Sequence, residues 1–283
     1  MIPAAVRERI EAALDGIERE HDVQILLAVE SGSRAWGFPS PDSDYDVRFI
    51  YLRPLDWYVS LSPRRDVIEL PIAGDLDIAG WDLRKAMGLL LKGNPALLEW
   101  LCSPIVYRAR PEAAAIRGLA ERGPHRHAAR HHYLSLARSQ HARWIAGRET
   151  VSLKKYFYCL RPALALMWLR TGVDRVPMDL SGLLAGVTLE PEILSAIDDL
   201  LTLKATSTEM GEGPRLASLD RLIEDELSLA TRHCGEPPPM APEFLADAEA
   251  LFRTIVFGSA VDYVCPRLTL TMQSPEGGEA TRP

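Results

Sequence analysis

Two short stretches carry side chains whose types and spacing could do chemistry together. One is Ser31-Gly32-Ser33-Arg34-Ala35-Trp36-Gly37, and the other, beyond Pro39, Ser40 and Pro41, is Asp44-Tyr45-Asp46. In a strand, residues i and i+2 share a face, so Asp44 and Asp46 are predicted to project together, roughly 7 Å apart. Carboxylates at that spacing can hold one or two Mg²⁺ ions and, through them, the oxygens of a triphosphate. Gly32 opens a turn, and Ser33 is placed to cap a short helical turn through Trp36. That would aim the backbone N–H groups of Gly32 to Arg34 outward at an anion. Alone, each feature is ordinary: D-x-D recurs at Asp42/Asp44 and Asp75/Asp77, and a turn glycine or a solvated carboxylate needs no function. The order strand, Gly-Ser, short helix, Pro-rich loop and D-x-D opening a strand is much rarer.

The elements that must position these residues are legible around them. Residues 23–29 form an apolar, β-branched run, read as a buried strand that empties into the Gly32 turn. Residues 44–52 read as the next strand. Ahead of both, residues 3–19 place Val6, Ile10, Ala13, Leu14 and Ile17 at helical spacing, an amphipathic helix that should pack on the sheet. Residues 67–72 and 76–80 read as short strands joined at Gly74-Asp75. Asp82 reads as the N-cap of a helix through Leu91, ended by Gly93-Asn94-Pro95, and residues 95–101 as a second helix. Residues 104–108 complete the strands. Beyond about Arg110 strand signals fade, and residues 111–121, 126–147, 153–171, 191–203, 215–232 and 242–256 read as helices. The expected fold is therefore α+β, with a mixed sheet flanked by helices over residues 1–110 and an all-α domain over residues 111–273. Pro237-Pro238-Pro239 reads as a stiff connector and residues 274–283 as a frayed tail.

With 283 residues and 47% hydrophobic side chains, the chain can bury one large core or two ordinary ones. The N-terminal stretch lacks the apolar core of a signal peptide and no apolar run reaches membrane-span length, so a cytoplasmic protein with no membrane partner is expected. Cys102, Cys159, Cys234 and Cys265 are far apart and make no C-x-x-C pair, which argues against a zinc knuckle or a disulfide framework. Charge is unevenly distributed. Residues 122–172 hold eight Arg and two Lys against one Glu, a net of +9, which leaves −16 for the rest of a chain whose total is −7. Such separation points to a polyanionic partner, either a nucleoside triphosphate or an RNA backbone. On the helix over residues 126–147, His127, His131, Arg138 and His141 fall on one face, opposite Ala129, Tyr133, Leu136, Ala137 and Trp144. His127 and His131 have metal-pair spacing, but no Glu or Cys nearby completes a set, so a solvated or nucleic-acid-facing surface is the better reading.

Gly32-Ser33 followed by Asp44-x-Asp46 resembles the signature of the DNA polymerase β-type nucleotidyltransferases. Gly32-Ser33-Arg34-Ala35-Trp36-Gly37, Ser43-Asp44-Tyr45-Asp46-Val47-Arg48, Gly80-Trp81-Asp82-Leu83-Arg84-Lys85 and Lys154-Lys155-Tyr156-Phe157-Tyr158 resemble that superfamily's predicted RNA-repair-pathway branch, over most of residues 20–210. The resemblance implies a minimal nucleotidyltransferase palm and transfer of a nucleoside monophosphate from a triphosphate to a hydroxyl, with release of pyrophosphate. It implies two Mg²⁺ ions, with Mn²⁺ able to substitute, on Asp44, Asp46 and a third carboxylate. Asp77 is the expected third, with Asp75 and Glu69 as alternatives. Gly32, Ser33 and Arg34 would bind the terminal phosphates. Lys154 or Lys155, at a helix start, would add a phosphate seat, and Tyr156 a ring for the base; the alternative is a solvated lysine pair over a core tyrosine. Asp82 and Trp81 read more simply as cap and packing. The acceptor could be an RNA end, a small molecule or a protein hydroxyl. A non-catalytic RNA-binding or regulatory protein of the same fold is the rival from another class.

Overall fold

In the computed structural model, the described residues are 2–173, 175–206, 211–232, 235 and 239–268, with side chains to residue 258. Helix α1 (Ala4–His21) precedes β1 (Gln24–Ser31), α2 (Gly32–Ala35), β2 (Tyr45–Leu52), α3 (Leu55–Tyr58), β3 (Val67–Glu69), β4 (Leu76–Asp82), α4 (Leu83–Leu91), α5 (Pro95–Cys102) and β5 (Val106–Ala109). The five strands form one mixed sheet in the order β3-β4-β2-β1-β5. Strand β2 pairs antiparallel with β1 and parallel with β4, while β3–β4 and β1–β5 are antiparallel. β1 is buried along almost its whole length because both faces are covered. On one face α1 packs Ile10, Leu14 and Ile17 against Ile25, Val47 and Phe49. On the other, α4 and α5 bring Leu83, Leu90, Leu97 and Leu101 onto Leu27, Val29 and Ile50.

The chain continues with α6 (Pro111–Arg122), α7 (Arg126–Trp144), β6 (Thr150–Ser152), α8 (Leu153–Arg170), α9 (Leu180–Ala185), α10 (Pro191–Thr206), β7 (Glu212–Pro214), α11 (Ala217–Arg232) and α12 (Pro242–Leu268). Helices α7 to α11 enclose a separate core around α8, which buries Phe157, Leu160, Leu164 and Leu169. Helices α6 and α12 instead join the core beneath the sheet, through Ile116 and Leu119, and through Phe244, Ala248 and Ile255.

The expected helices and strands all occur, with shifted ends. β4 runs to Asp82, whose side chain still accepts the Arg84 amide as the cap of α4, and α7 stops at Trp144. The small antiparallel pair β6–β7 and the short α9 escaped the sequence reading because three- to six-residue elements carry too little periodicity. Ser33, expected to cap α2, does not do so. Ser31 occupies the cap position and Ser33 lies inside the helix. Pro237 and Pro238 of the expected connector, and the expected tail at 274–283, lie outside the described residues.

Candidate active site

β1 delivers the chain to Gly32, whose φ of +62° is strained for any residue with a side chain. The constraint is also one of space, because a Cβ on Gly32 would fall 2.0 Å from Asp46 Oδ2. The turn and the acidic strand are therefore in direct contact, with Ser31 and Asp46 facing each other in the β1–β2 ladder. Inside α2 the Ser33 hydroxyl donates to Ser43 Oγ at 3.0 Å, and Ser43 Oγ also accepts the Ser40 amide at 2.9 Å. These bonds hold the Pro-rich loop in place. Arg34 braces the same loop, donating to the Ser43 and Asp44 carbonyls and laying its guanidinium 3.9 Å from the Tyr45 ring centroid.

A cleft opens between this assembly and the helical part of the chain. Gly32, Ser33, Trp36, Asp42, Asp44 and Asp46 line one side, and Lys154 and Tyr158 of α8 with Lys204 of α10 line the other. Asp44, just ahead of β2, is exposed, and Asp46 is half-buried. Burial raises the Asp46 carboxyl above the usual carboxylate range; Arg48 works against this, while Asp77 and Asp44 add to it. Like charges converging on a partly desolvated carboxylate are a setting that a bound cation would relieve.

Asp77 lies beside Asp46 because β2 and β4 pair in parallel with Asp46 opposite Asp77. Arg48 stands between them, with Nη2 2.7 Å from Asp77 Oδ2 and 3.4 Å from Asp46 Oδ1. Its Nη1 donates to the carbonyls of Val47 and Asp77, fixing the guanidinium in the sheet. Asp77 therefore borders the cleft residues through an arginine. Among the described residues no group of three His, Cys, Asp or Glu side chains is arranged to hold a metal ion. The two alternative third carboxylates are engaged elsewhere, Asp75 with Arg9 at 2.7 Å and Glu69 with Arg65 at 2.6 Å.

Beside the acidic strand, on β1 and opposite Val47, lies Glu30, fully buried. Its side chain accepts the Asp46 amide at 2.9 Å and the Tyr107 hydroxyl. Burial pushes its carboxyl up to about 7 against the pull of both hydrogen bonds. Sequence reading passed over Glu30, which looked like the end of a strand; an acid closing a buried apolar run was the available signal.

On the helical side, Lys154 lines the cleft and Lys155 turns away. The Lys155 ammonium sits 4.5 Å from the Trp144 ring centroid and 4.8 Å from that of Tyr158, and burial lowers its pKa. Tyr156 does not reach the cleft. It is fully buried in the helical core, where its hydroxyl donates to Asp220 and accepts the Leu216 amide. The ring that does reach the cleft is Tyr158, two residues on, edge-on to Trp36 at 6.3 Å. Asp82 is buried, accepting from Tyr58 as well as Arg84, and Trp81 stacks on Trp100 at 3.8 Å, so both are packing residues. On α7 Ala129, Tyr133 and Ala137 are buried and His131 and Arg138 exposed, as the two-faced pattern predicts, but His127, Leu136 and Trp144 are half-buried, and His141 is turned into contact with Glu224 at 3.5 Å. His127 Nε2 donates to the Gly235 carbonyl at 2.7 Å, with its ring 4.6 Å from that of His131.

Residues 6–254 match the RNA repair pathway DNA polymerase beta family. The uncharacterized protein YcgL of Bacillus subtilis (strain 168) is 44% identical over 223 residues, 78% of this chain and 85% of that one. A nucleotidyltransferase-like protein of known crystal structure from Exiguobacterium sibiricum aligns over 91% of each chain at 13% identity, with a TM-score of 0.29. With the family match spanning nearly all of the described residues and including every residue of the cleft, the chain belongs to the RNA repair pathway DNA polymerase beta family.

Proposed function

We propose that the protein transfers a nucleoside monophosphate from a nucleoside triphosphate to a hydroxyl acceptor, an RNA end, with release of pyrophosphate. The observation that carries this reading is the approach of Gly32 to Asp46, which puts an anion-seeking turn and two carboxylates on one wall of a cleft. Lysines 154 and 204 on the facing wall supply the opposite charge. Asp44 and Asp46 are the residues that would hold Mg²⁺, with Asp77 joining them only if Arg48 yields it. A bound ion would neutralise the triphosphate and ease loss of the acceptor proton.

The chain's own residues do the rest. The amides of Gly32 and Ser33, in the first turn of α2 and without an intrahelical acceptor, would be available to phosphate oxygens in the cleft. Tyr158 and Trp36 offer ring faces beside them for a base. Glu30 holds the Asp46 backbone in register. The acceptor hydroxyl approaches from the Asp44–Asp46 side, and in-line displacement at the α-phosphorus forms the new ester as the bond to pyrophosphate breaks. A non-catalytic reading draws on one observation, the hold of Arg48 on Asp77.

The test is incubation with Mg²⁺ and each labelled triphosphate, with and without bulk RNA, scored for pyrophosphate and labelled product. Asp44→Asn and Asp46→Asn should each lower transfer by about 100-fold or more while far-UV circular dichroism is unchanged. Undiminished transfer in either variant would remove the site assignment.

A further inference from the structure

A second cavity, of about 240 Å³, lies where α5, α6 and α7 meet residues 175–176, and it shares no lining residue with the cleft. Its inner wall is apolar, built from Leu98 and Leu101 of α5, Ala120 of α6, Ala129 of α7 and Val176. Two of those five side chains are alanines, so the space lies where longer side chains are missing. Protein interiors pack as densely as organic crystals and hold few voids larger than a water molecule. An apolar cavity of about 150 Å³ is already large enough to take benzene.

The charged side chains on the wall are Glu99, Arg117, Glu121 and Arg175. All but one have a charged partner. Glu99 accepts from the Tyr133 hydroxyl at 2.8 Å and pairs with Arg161 at 2.9 Å. Arg175 donates to Glu121 at 3.0 Å and to Cys102 Sγ at 3.2 Å. Arg117 is the exception. Its Nε donates to the Leu101 carbonyl at 2.8 Å, which fixes the guanidinium to the last turn of α5. Glu121, four residues on and its natural helical partner, is taken by Arg175. Among the described residues no carboxylate pairs with Arg117. The side chain is half-buried and its Nη groups are not sealed off, so those N–H donors stay accessible. With the two ion pairs neutral, the cavity keeps one positive charge, held as a planar fork that matches both oxygens of a carboxylate.

We propose that this cavity binds a small apolar carboxylate. The apolar body lies against Leu98, Ala120, Ala129 and Val176, and the carboxylate accepts from the Nη groups of Arg117. The site is separate from the transfer chemistry and does not depend on it. The Glu99–Arg161 pair nevertheless runs from the wall of the cavity to the wall of the cleft, where the Arg161 guanidinium lies 4.6 Å from the Trp36 ring centroid.

The probe is 2-naphthoate, a flat two-ring acid, titrated calorimetrically into the full chain without nucleotide or metal. Binding to the wild type should be saturable. 2-Naphthalenemethanol, the same rings without the charge, should bind about 10-fold or more weakly. Arg117→Gln should lower naphthoate affinity about 10- to 100-fold, the range for a hydrogen bond to a charged group, and change that for the alcohol little. Ala120→Leu, which fills the space from a helical position that suits leucine, should abolish binding of both. Asp44→Asn should bind naphthoate as the wild type does. No saturable binding by the wild type, equal affinity for acid and alcohol, a change under threefold in Arg117→Gln, or full affinity in Ala120→Leu would each overturn the proposal. Should Ala120→Leu fail to fold, the acid–alcohol comparison and Arg117→Gln decide. Transfer activity enters none of these readouts, so this site and the transfer reading fail separately.

Discussion

Glu30 sits where a strand interior would normally hold valine, and its hydrogen bonds reach the backbone of Asp46 and the hydroxyl of Tyr107. Its carboxyl titrates near 7 in the folded chain against 4.5 ordinarily. The folded state therefore binds a proton that the unfolded state has already released between those values. Stability from this group is fully present below about pH 4.5 and is lost as pH rises through 7, by about 3 kcal/mol at most. Glu30→Gln keeps an acceptor for the Asp46 amide and has nothing to titrate. Urea unfolding at pH 5 and pH 8 should show the wild type losing more stability than Glu30→Gln over that interval; equal losses would count against the raised pKa. Gly32 shows how much a single residue type can disclose. A Gly before Ser announced a turn, but that a Cβ there would strike Asp46 follows only from the β1–β2 register. Arg48 was visible beside Asp46 in the sequence. Its bond to Asp77 depends on the parallel pairing with β4, which local patterns do not specify.

At the level of elements, α8 separates two tyrosines that sequence alone treats alike. Residues two apart on a helix point about 200° apart, so Tyr156 and Tyr158 cannot both face the cleft. The resemblance drew attention to Tyr156, and packing assigned it to the core instead. Tyr156→Phe should lower stability by about 1–2 kcal/mol, through loss of its bonds to Asp220 and Leu216, and leave transfer close to wild type. Tyr158→Ala should do the reverse, weakening nucleotide use with little change in the unfolding midpoint. Denaturation curves and steady-state rates on the two variants decide it. Strong helix signals made α1, α4 to α8, α10 and α11 legible, because amphipathic spacing and caps are local properties. The β6–β7 pair was not legible, since Thr150 to Ser152 and Glu212 to Pro214 become strands only when α8 and α11 bring them together.

For the molecule as a whole, the charge separation read from the sequence is only partly a property of the surface, because Arg161 is buried against Glu99 and Arg170 and Arg122 pair with Glu226 and Asp247. His131, Arg138 and Arg143 of α7 are exposed, and Arg138 reaches Thr231. If this face holds a single-stranded RNA during transfer, log Kd should vary steeply with log salt concentration. The slope should be about 0.7 for each phosphate contact. Filter binding between low and physiological salt measures it; a flat response points to a small acceptor. No described helix is long and apolar enough to cross a membrane. The change from mixed elements to mainly helical ones was readable near Arg110. That α6 and α12 would pack beneath the sheet was not, because long-range docking leaves no periodic trace in the sequence.

The docking of α12 has a temporal consequence. Leu83, Met87 and Leu90 of α4 share their core with Phe244, Ala248 and Ile255. A nascent chain emerging from the ribosome presents the sheet and α4 long before the residues that seal them exist. Until α12 emerges, that apolar face stays open to solvent and to other chains. Ribosome-bound chains stalled ahead of residue 242 should accordingly be recognised by chaperones that bind exposed apolar surface, and released once α12 has cleared the exit tunnel.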